Sequence, residues 1–246
     1  MIWRTALHYA LFWLILALTS GQLTDEQKAQ IVDLHNQYRS SVNPTAGNMQ
    51  RMLWDNALSQ VAANYAAHCR WDHNPRIFGI LGENLFMTLG PLIISQPLNL
   101  WYNENSDYYF NNRGCAQGKM CGHYTQMVWA NTTFVGCAAQ FCADVPNFKV
   151  QNATILVCNY YPPGNVKGEK PYEVGMPCSK CPLEMNGCVK NTCAQIESTT
   201  EETGTDTWSR DTPQTNLEGS SGFTKFSVDT LLLAGLLTGL MVSFIF

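Results

Sequence analysis

The sequence predicts an α+β sandwich in which helices pack on a small antiparallel sheet. Apolar residues recur at spacings of three and four in three segments of the first half, as in amphipathic helices. Two later segments are rich in β-branched and aromatic residues, as in strands. All ten cysteines fall between Cys69 and Cys193, and the last four predict a disulfide-rich hinge after the sandwich.

The first predicted helix lies in "LTDEQKAQIVDLHNQYRSSV", residues 23–42. Thr24 is followed three residues later by Gln27, which is a capping-box pattern. The apolar side of this helix carries Ile31, Leu34, His35, Tyr38 and Val42. We therefore expect His35 to be a packed or surface histidine, and the same holds for His68 after the next helix.

Two further helices and two strands complete the predicted domain. Residues 56–69 carry an apolar stripe, and residues 96–109 place Pro97 in a first helical turn, where its missing amide proton does no harm. The strand segments are "FVGCAAQFC" at 134–142 and "ATILVCNYY" at 153–161. Helices followed by a small sheet indicate the α+β class.

The N-terminal segment predicts a signal peptide at residues 1–21. Arg4 and His8 precede an apolar run from Ala10 to Leu18, and we expect cleavage near Gly21. The alternative is a signal-anchor helix, for which the apolar run is short.

The C-terminal segment predicts attachment to a membrane. Residues 195–222 are rich in threonine and acids and predict a stalk, and residues 223–246 form a hydrophobic tail. Gly219, Ser220 and Ser221 are candidate attachment residues for a lipid anchor of the glycosylphosphatidylinositol type. The alternatives are a retained single-pass span and release by cleavage.

An even number of cysteines after a secretory signal indicates disulfides. The cysteines are Cys69, Cys115, Cys121, Cys137, Cys142, Cys158, Cys178, Cys181, Cys188 and Cys193. The last four lie in the predicted hinge, residues 166–194, where zinc binding is the alternative. Asn131 and Asn152 begin N-glycosylation acceptor sequences.

Charge argues against a nucleic-acid partner. The formal net charge is -4, and only 14% of the residues are charged, so the chain carries no basic footprint. We expect an extracellular protein or lipid ligand instead.

Five strings in order resemble the signatures of the CAP superfamily, which comprises cysteine-rich secretory proteins, antigen 5 and pathogenesis-related 1 proteins. They are "LHNQYR" at 34–39, "GENL" at 82–85, "WYNE" at 101–104, "GHYTQMVW" at 122–129 and "CNYYPPGN" at 158–165. The continuation "PPGNVKGEKPYEVGMPCSKCP" resembles the peptidase inhibitor 16-like and glioma pathogenesis-related-like groups. The resemblance implies an α-β-α sandwich over residues 22–165.

The resemblance also implies a cleft formed by His73, Glu83, Glu104 and His123. Periodicity alone does not bring these four residues together. In CAP proteins the two histidines can hold a divalent cation, often Zn²⁺, and carboxylates add oxygen ligands or orient the imidazole rings. For His123, at the start of a predicted helix, a structural role without metal is the alternative.

By the same resemblance, Cys137 is expected to pair with Cys158, which leaves Cys69 for Cys142. The hinge cysteines are expected to pair in an interleaved order. If Cys115 pairs with Cys121, the aromatic loop before "GHYTQ" is stapled.

The sequence favours a non-catalytic binding protein over an enzyme. Neither an HExxH helix nor a GxSxG elbow is present. The family resemblance suggests a peptidase inhibitor or modulator, and the alternative ligand is a sterol or fatty acid. A metal-dependent hydrolase, with metal-activated water and a carboxylate base, is the remaining hypothesis.

Overall fold

The computed structural model describes residues 22–196. Its helices are α1 (Asp25–Arg39), α2 (Asn56–Ala66), α3 (Ser95–Asn103) and α4 (Gly122–Met127), with 3-10 turns at Pro75–Ile77 and Glu104–Asp107. Its strands are β1 (Leu53–Trp54), β2 (Gly82–Thr88), β3 (Tyr108–Tyr109), β4 (Gly114–Cys115), β5 (Phe134–Val145), β6 (Val150–Tyr161), β7 (Gly187–Val189) and β8 (Thr192–Ala194). The predicted α+β class is confirmed.

The main sheet has the strand order β1-β5-β6-β2. Strands β5 and β6 are antiparallel, and β2 is antiparallel to β6 with Glu83 opposite Asn159. Strand β1 runs parallel to β5, so the sheet is mixed, whereas a purely antiparallel sheet was expected. The direction of β1 follows from its connection, because Asp55 directly after it caps α2 by accepting a hydrogen bond from the Leu58 amide at 2.8 Å.

Helices cover both faces of this sheet and form the α-β-α sandwich. On one face, Ala62 and Ala66 of α2 share a core cluster with Leu85 of β2 and Val157 of β6. Gly136 of β5 allows this close approach, since a Cβ there would overlap the backbone of Asp55 and Ser59. On the other face α1, α3 and α4 share a core that includes Ile31, Leu98, Met127, Leu156 and Tyr160.

Helix α1 begins at the predicted capping box. The Thr24 hydroxyl accepts from the Gln27 amide at 3.2 Å, and the Gln27 side chain accepts from the Thr24 amide at 2.9 Å. The helix ends at Arg39, so Val42 is buried in the following loop and does not belong to the helix. The fully buried His35 is a packed histidine.

Two predicted helices are shorter than the sequence suggested. Helix α3 ends at Asn103 and not at Tyr109, and Glu104 lies in the 3-10 turn, because the polar run 103–107 offers side-chain partners for the backbone. Ser106 Oγ donates to the Asn103 carbonyl at 3.0 Å. Helix α2 ends at Ala66, because Cys69 adopts a φ of 52°, which is outside the helical region.

Arg39 fixes the segment after α4 from inside the core. Its guanidinium is fully buried and donates to five backbone carbonyls. The acceptors are Gln50, Met127, Trp129, Ala130 and Thr132. Burial lowers the pKa of Arg39 to about 9, so the group stays charged at neutral pH.

The ten cysteines form five disulfides. The pairs are Cys69–Cys142, Cys115–Cys121, Cys137–Cys158, Cys178–Cys188 and Cys181–Cys193. The hinge pairs are interleaved, as the family resemblance implies. The zinc alternative for the hinge is wrong, because the sulfurs of Cys178, Cys181 and Cys193 lie close together but are consumed in disulfides.

The hinge packs directly on the sandwich through backbone hydrogen bonds. The Gly47 amide donates to the Glu173 carbonyl at 2.8 Å, and the Cys193 amide donates to the Met49 carbonyl at 2.7 Å. A groove of about 480 Å³ lies along this junction, lined by Phe110, Trp129 and Tyr172 among others.

In the part of the chain that the structure describes, no helix has both the length and the apolarity that a membrane span requires. The predicted signal peptide, nearly all of the stalk and the hydrophobic tail, including Gly219, Ser220 and Ser221, lie outside the described residues.

Candidate functional site

His73 lies in the loop between α2 and β2 and is held by a glutamate from β2. Its Nδ1 is 2.9 Å from Glu83 Oε1, which also accepts the Asn74 amide at 2.9 Å. The Glu83 side chain is buried, with 5% of its surface exposed, whereas 67% of the His73 side chain is exposed. The hydrogen bond from Glu83 raises the pKa of His73, and partial burial opposes this shift.

His123 is held by a glutamate from the 3-10 turn after α3. Its Nδ1 is 2.6 Å from Glu104 Oε1, and Glu104 Oε2 accepts the amides of His123 and Tyr124 at 3.0 and 3.1 Å. The carboxylate therefore caps the first turn of α4, where two backbone amides have no helical partner. The His123 ring also stacks on Trp101, with 5.9 Å between ring centroids.

The hydrogen bonds of both rings favour the neutral tautomer that suits a metal ligand. Each Nδ1 faces a carboxylate, so in the neutral ring Nδ1 carries the proton and Nε2 keeps its lone pair. Neither Nε2 has a hydrogen-bond partner among residues 22–196. The two residues line one cavity of about 260 Å³. Its other lining residues are Glu83, Asn84, Met120, Cys121, Gly122 and Asn165.

The structure brings the four predicted residues together as two pairs and not as one tight cluster. In residues 22–196, the His, Cys, Asp and Glu ligand atoms that gather within 4.8 Å in groups of three or more are those of the hinge cysteines. The cleft atoms that are open to a cation are therefore the two Nε2 atoms, because each glutamate is hydrogen-bonded to its ring through Nδ1. Direct ligation by Glu83 and Glu104 would need side-chain movement.

A buried hydrogen-bond network behind the cleft was missed by the sequence analysis. Asn84 Nδ2 donates to the His123 carbonyl at 3.1 Å and to the Tyr160 hydroxyl at 3.3 Å. The Tyr160 hydroxyl lies 3.0 Å from His35 Nε2, and His35 Nδ1 lies 2.8 Å from the Ile31 carbonyl. Burial lowers the pKa of His35 to about 4, so its ring is neutral and accepts from Tyr160. The strings "GENL" and "CNYY" contain Asn84 and Tyr160, but only the strand register shows that they meet.

The loop that forms another wall of the cavity is stapled. Cys115 pairs with Cys121, which directly precedes α4. Tyr108 and Phe110 pack against the main core, whereas Tyr109 is exposed. The predicted glycosylation acceptors Asn131 and Asn152 are both exposed.

The comparisons with known proteins identify the family. A model of the cysteine-rich secretory protein (CAP) family matches residues 32–160. This chain belongs to the CAP family. It is 44% identical over 183 residues to peptidase inhibitor 16 of Bos taurus, a match that covers 74% of this chain and 39% of that protein. It is 42% identical over 184 residues to peptidase inhibitor 15 of Xenopus laevis, covering 70% of this chain and 71% of that protein. This chain thus spans less than half of the length of the peptidase inhibitor 16 relatives that it matches.

Solved structures show the same fold. Na-ASP-1 superposes with a TM-score of 0.60 at 27% identity, covering 72% of this chain and 49% of that chain. The structure of NaASP2 with Zn²⁺ gives a TM-score of 0.56 at 28% identity, covering 70% of this chain and 97% of that chain. The predicted CAP-type sandwich is confirmed.

Proposed function

We propose that this CAP protein is an extracellular, non-catalytic binding protein whose cleft holds a divalent cation between His73 and His123. The observation that carries the proposal is the pairing of each ring with its own carboxylate, which leaves two Nε2 lone pairs in one cavity. Neutral imidazoles suit Zn²⁺, and a solved relative is described with this ion. A bound cation would supply a fixed positive charge and Lewis acidity for an anionic or carbonyl group of the ligand.

The positions of the glutamates support binding over hydrolysis. A metal-dependent hydrolase needs a carboxylate that is free to take a proton from a metal-activated water. Glu104 uses both oxygens, on His123 and on the amides that begin α4. Glu83 uses one oxygen on His73 and Asn74, and its other oxygen is buried away from solvent. Glu104 is thereby occupied in orienting its ring, and the free oxygen of Glu83 is inaccessible to solvent.

A protein ligand is favoured over a sterol or fatty acid. The disulfide Cys115–Cys121 restrains the loop that would have to open for a sterol, and two of its three aromatics are packed in the core. The relatives named peptidase inhibitor 15 and 16 suggest that the protein ligand is a peptidase. We further propose, from the sequence, that the chain is secreted, is glycosylated at Asn131 and Asn152, and is attached to the cell surface through its C-terminal segment.

Zinc titration calorimetry on the purified chain tests the cation site. We expect one Zn²⁺ per chain in the wild type and loss of that binding in His73→Ala and in His123→Ala. His68→Ala is the matched control, because His68 is an exposed histidine outside the cleft. Unchanged zinc binding in the double variant His73→Ala, His123→Ala would refute the site.

A peptide library with and without EDTA tests the non-catalytic part of the proposal. We expect no metal-dependent cleavage. Cleavage that EDTA abolishes, and that the double variant of His73 and His123 also loses, would establish the hydrolase instead.

A further inference from the structure

Buried polar atoms without partners gather on two adjoining strands beside the cleft. Among residues 22–196, Glu83 Oε2, Asn159 Nδ2 and Asn159 Oδ1 are inaccessible to solvent and make no hydrogen bond. Buried polar atoms are nearly always satisfied by protein groups or by ordered water, so each such atom needs an explanation. Here the three atoms share one location.

The strand register places the two side chains next to each other. Glu83 of β2 is directly opposite Asn159 of β6. Directly opposite residues of antiparallel strands project their side chains to the same face, with Cβ atoms about 4.5–5.5 Å apart. That face is the one covered by α2, because Leu85, two residues after Glu83, and Val157, two residues before Asn159, share a core cluster with α2. The unsatisfied atoms therefore lie between the sheet and α2, and we call the position of these two side chains the polar chamber.

The wall of the chamber leaves these atoms no protein partner. Asn159 is fully buried and also lies opposite Gly136 of β5, where the first turn of α2 approaches the sheet too closely for any side chain. The neighbouring residues on this face, Leu85 and Val157, are apolar. An asparagine at position 159 contributes nothing to such an apolar face as a packing residue, since its amide is left unsatisfied there.

The chamber is connected to the cleft through Glu83. Glu83 Oε1 holds the His73 ring and the Asn74 amide, while Oε2 has no hydrogen-bond partner. Whatever fixes Oε2 therefore also fixes the rotation of the carboxylate that orients His73. His73 is itself mostly exposed, so Glu83 is its principal anchor.

We propose that the chamber holds an ordered water molecule, which accepts from Asn159 Nδ2 and donates to Glu83 Oε2, and that Asn159 is thereby a positioning residue for His73. A buried water bonded to two or more otherwise unsatisfied groups is a regular structural feature of proteins. The proposal gives a role to the asparagine of "CNYYPPGN". Its neighbour Tyr160, on the opposite face of β6, accepts from the Asn84 side chain, which also donates to the His123 carbonyl.

The water is tested by a high-resolution crystal structure of the full chain. We expect a solvent peak within hydrogen-bond distance of both Glu83 Oε2 and the Asn159 amide. Well-resolved density without that peak, including a direct contact between the two side chains, overturns the proposal.

The positioning role is tested by two substitutions, Asn159→Thr and Asn159→Val, whose side chains have the same shape as each other. The threonine hydroxyl can bond the water, whereas valine of the same shape cannot. We expect Asn159→Val to lower the zinc affinity about tenfold, as is typical when a group behind a metal-binding histidine is lost. We expect Asn159→Thr to stay near the wild-type affinity. Equal losses in both variants would mean that the residue acts only through packing, and would overturn the role.

The zinc measurement rests on the proposed cation site. A second measurement, of the histidine tautomers, is independent of metal binding. ¹⁵N NMR of labelled histidines reports which ring nitrogen carries the proton. In wild type and in Asn159→Thr we expect His73 to be the Nδ1–H tautomer, and in Asn159→Val a mixture of tautomers, with His123 unchanged in all three. If wild type binds no zinc, the proposed function fails while this NMR comparison still decides the role of Asn159. An unchanged His73 tautomer in a folded Asn159→Val refutes it.

Discussion

Each half of the cleft consists of a histidine held by a glutamate, but the two histidines differ in how firmly the fold holds them. In the first half, His73 lies on a surface loop and depends on one carboxylate oxygen of Glu83. In the second, His123 lies on a helix, stacks on Trp101, and is held by a carboxylate that also binds two backbone amides. The His123 half is therefore part of the core, whereas the His73 half is anchored to it at one point.

This difference implies a division of roles within one site. A ring fixed through backbone, stacking and capping contacts is preorganised before any ligand arrives. A ring on an exposed loop can adjust to the cation or to a protein ligand. The structure thus predicts that changes to the His123 half alter stability and binding together, while changes to the His73 half alter mainly binding.

The largest effect is expected from the buried arginine that supports the His123 half. Arg39→Met removes the donor for five backbone carbonyls, four of them at residues 127, 129, 130 and 132, from the last residue of the His123 helix onwards. Since a buried acceptor that loses its donor typically costs about 1–3 kcal/mol and several carbonyls lose theirs together, we expect a loss of about 4 kcal/mol in the free energy of unfolding. Urea denaturation measures it.

Arg76→Met is the matched control for this substitution. Arg76 is exposed and lies three residues after His73, so its loss should change stability by less than about 0.5 kcal/mol. Similar losses in the two variants would contradict the view that only the His123 half belongs to the core.

The next largest effect is a dependence of stability on pH through His35. Burial lowers the pKa of His35 from 6.5 to about 4, so the unfolded chain binds a proton in this window that the folded chain does not. The stability is fully present above pH 6.5 and falls as the pH is lowered towards 4, by up to about 3 kcal/mol. Comparing urea midpoints of wild type and His35→Phe between pH 4 and 7 isolates this contribution.

His73 is expected to act in the opposite direction. Its pKa is raised by Glu83, so its contribution to stability is complete below pH 6.5 and is lost as the pH rises through the folded-state pKa. The effect is small because the ring is largely exposed and screened.

The two histidines are separated by the His35→Phe variant. If this variant kept the wild-type dependence of stability on pH below pH 6.5, the buried network would not be the source of the acid sensitivity.

The sequence predicted the parts of this molecule that depend on local patterns. The capping box of Thr24 and Gln27 begins α1, and the β-branched runs became β5 and β6, because these features are encoded by neighbouring residues. The predicted end of α3 was wrong, because polar side chains at 103–107 compete with helical hydrogen bonds. The parallel direction of β1 was also missed, since it depends on where α2 docks on Gly136.

The site was predictable only as a set of residue types. The family resemblance supplied His73, Glu83, Glu104 and His123, but not which glutamate orients which histidine, since each pair is set by loops and turns. The supporting residues were hidden for another reason. Whether an asparagine on a strand faces the cleft, the core or a polar chamber is decided by the register between β2 and β6, which no single strand encodes.

The smallest of these effects compares the two carboxylates by replacing each with its amide. Glu104 accepts three N–H groups on two oxygens, so in Glu104→Gln the new NH₂ group either faces a donor or forces His123 into the other tautomer. We expect a loss of about 2 kcal/mol, the typical cost of losing hydrogen bonds to a charged group. Glu83→Gln can keep its oxygen on His73 and Asn74 and turn its NH₂ towards the chamber at Asn159, where an acceptor is available. Its loss should stay below about 1 kcal/mol. Urea denaturation of the two variants decides the comparison, and a Glu83→Gln that is as damaging as Glu104→Gln would show that both histidines are anchored in the core alike.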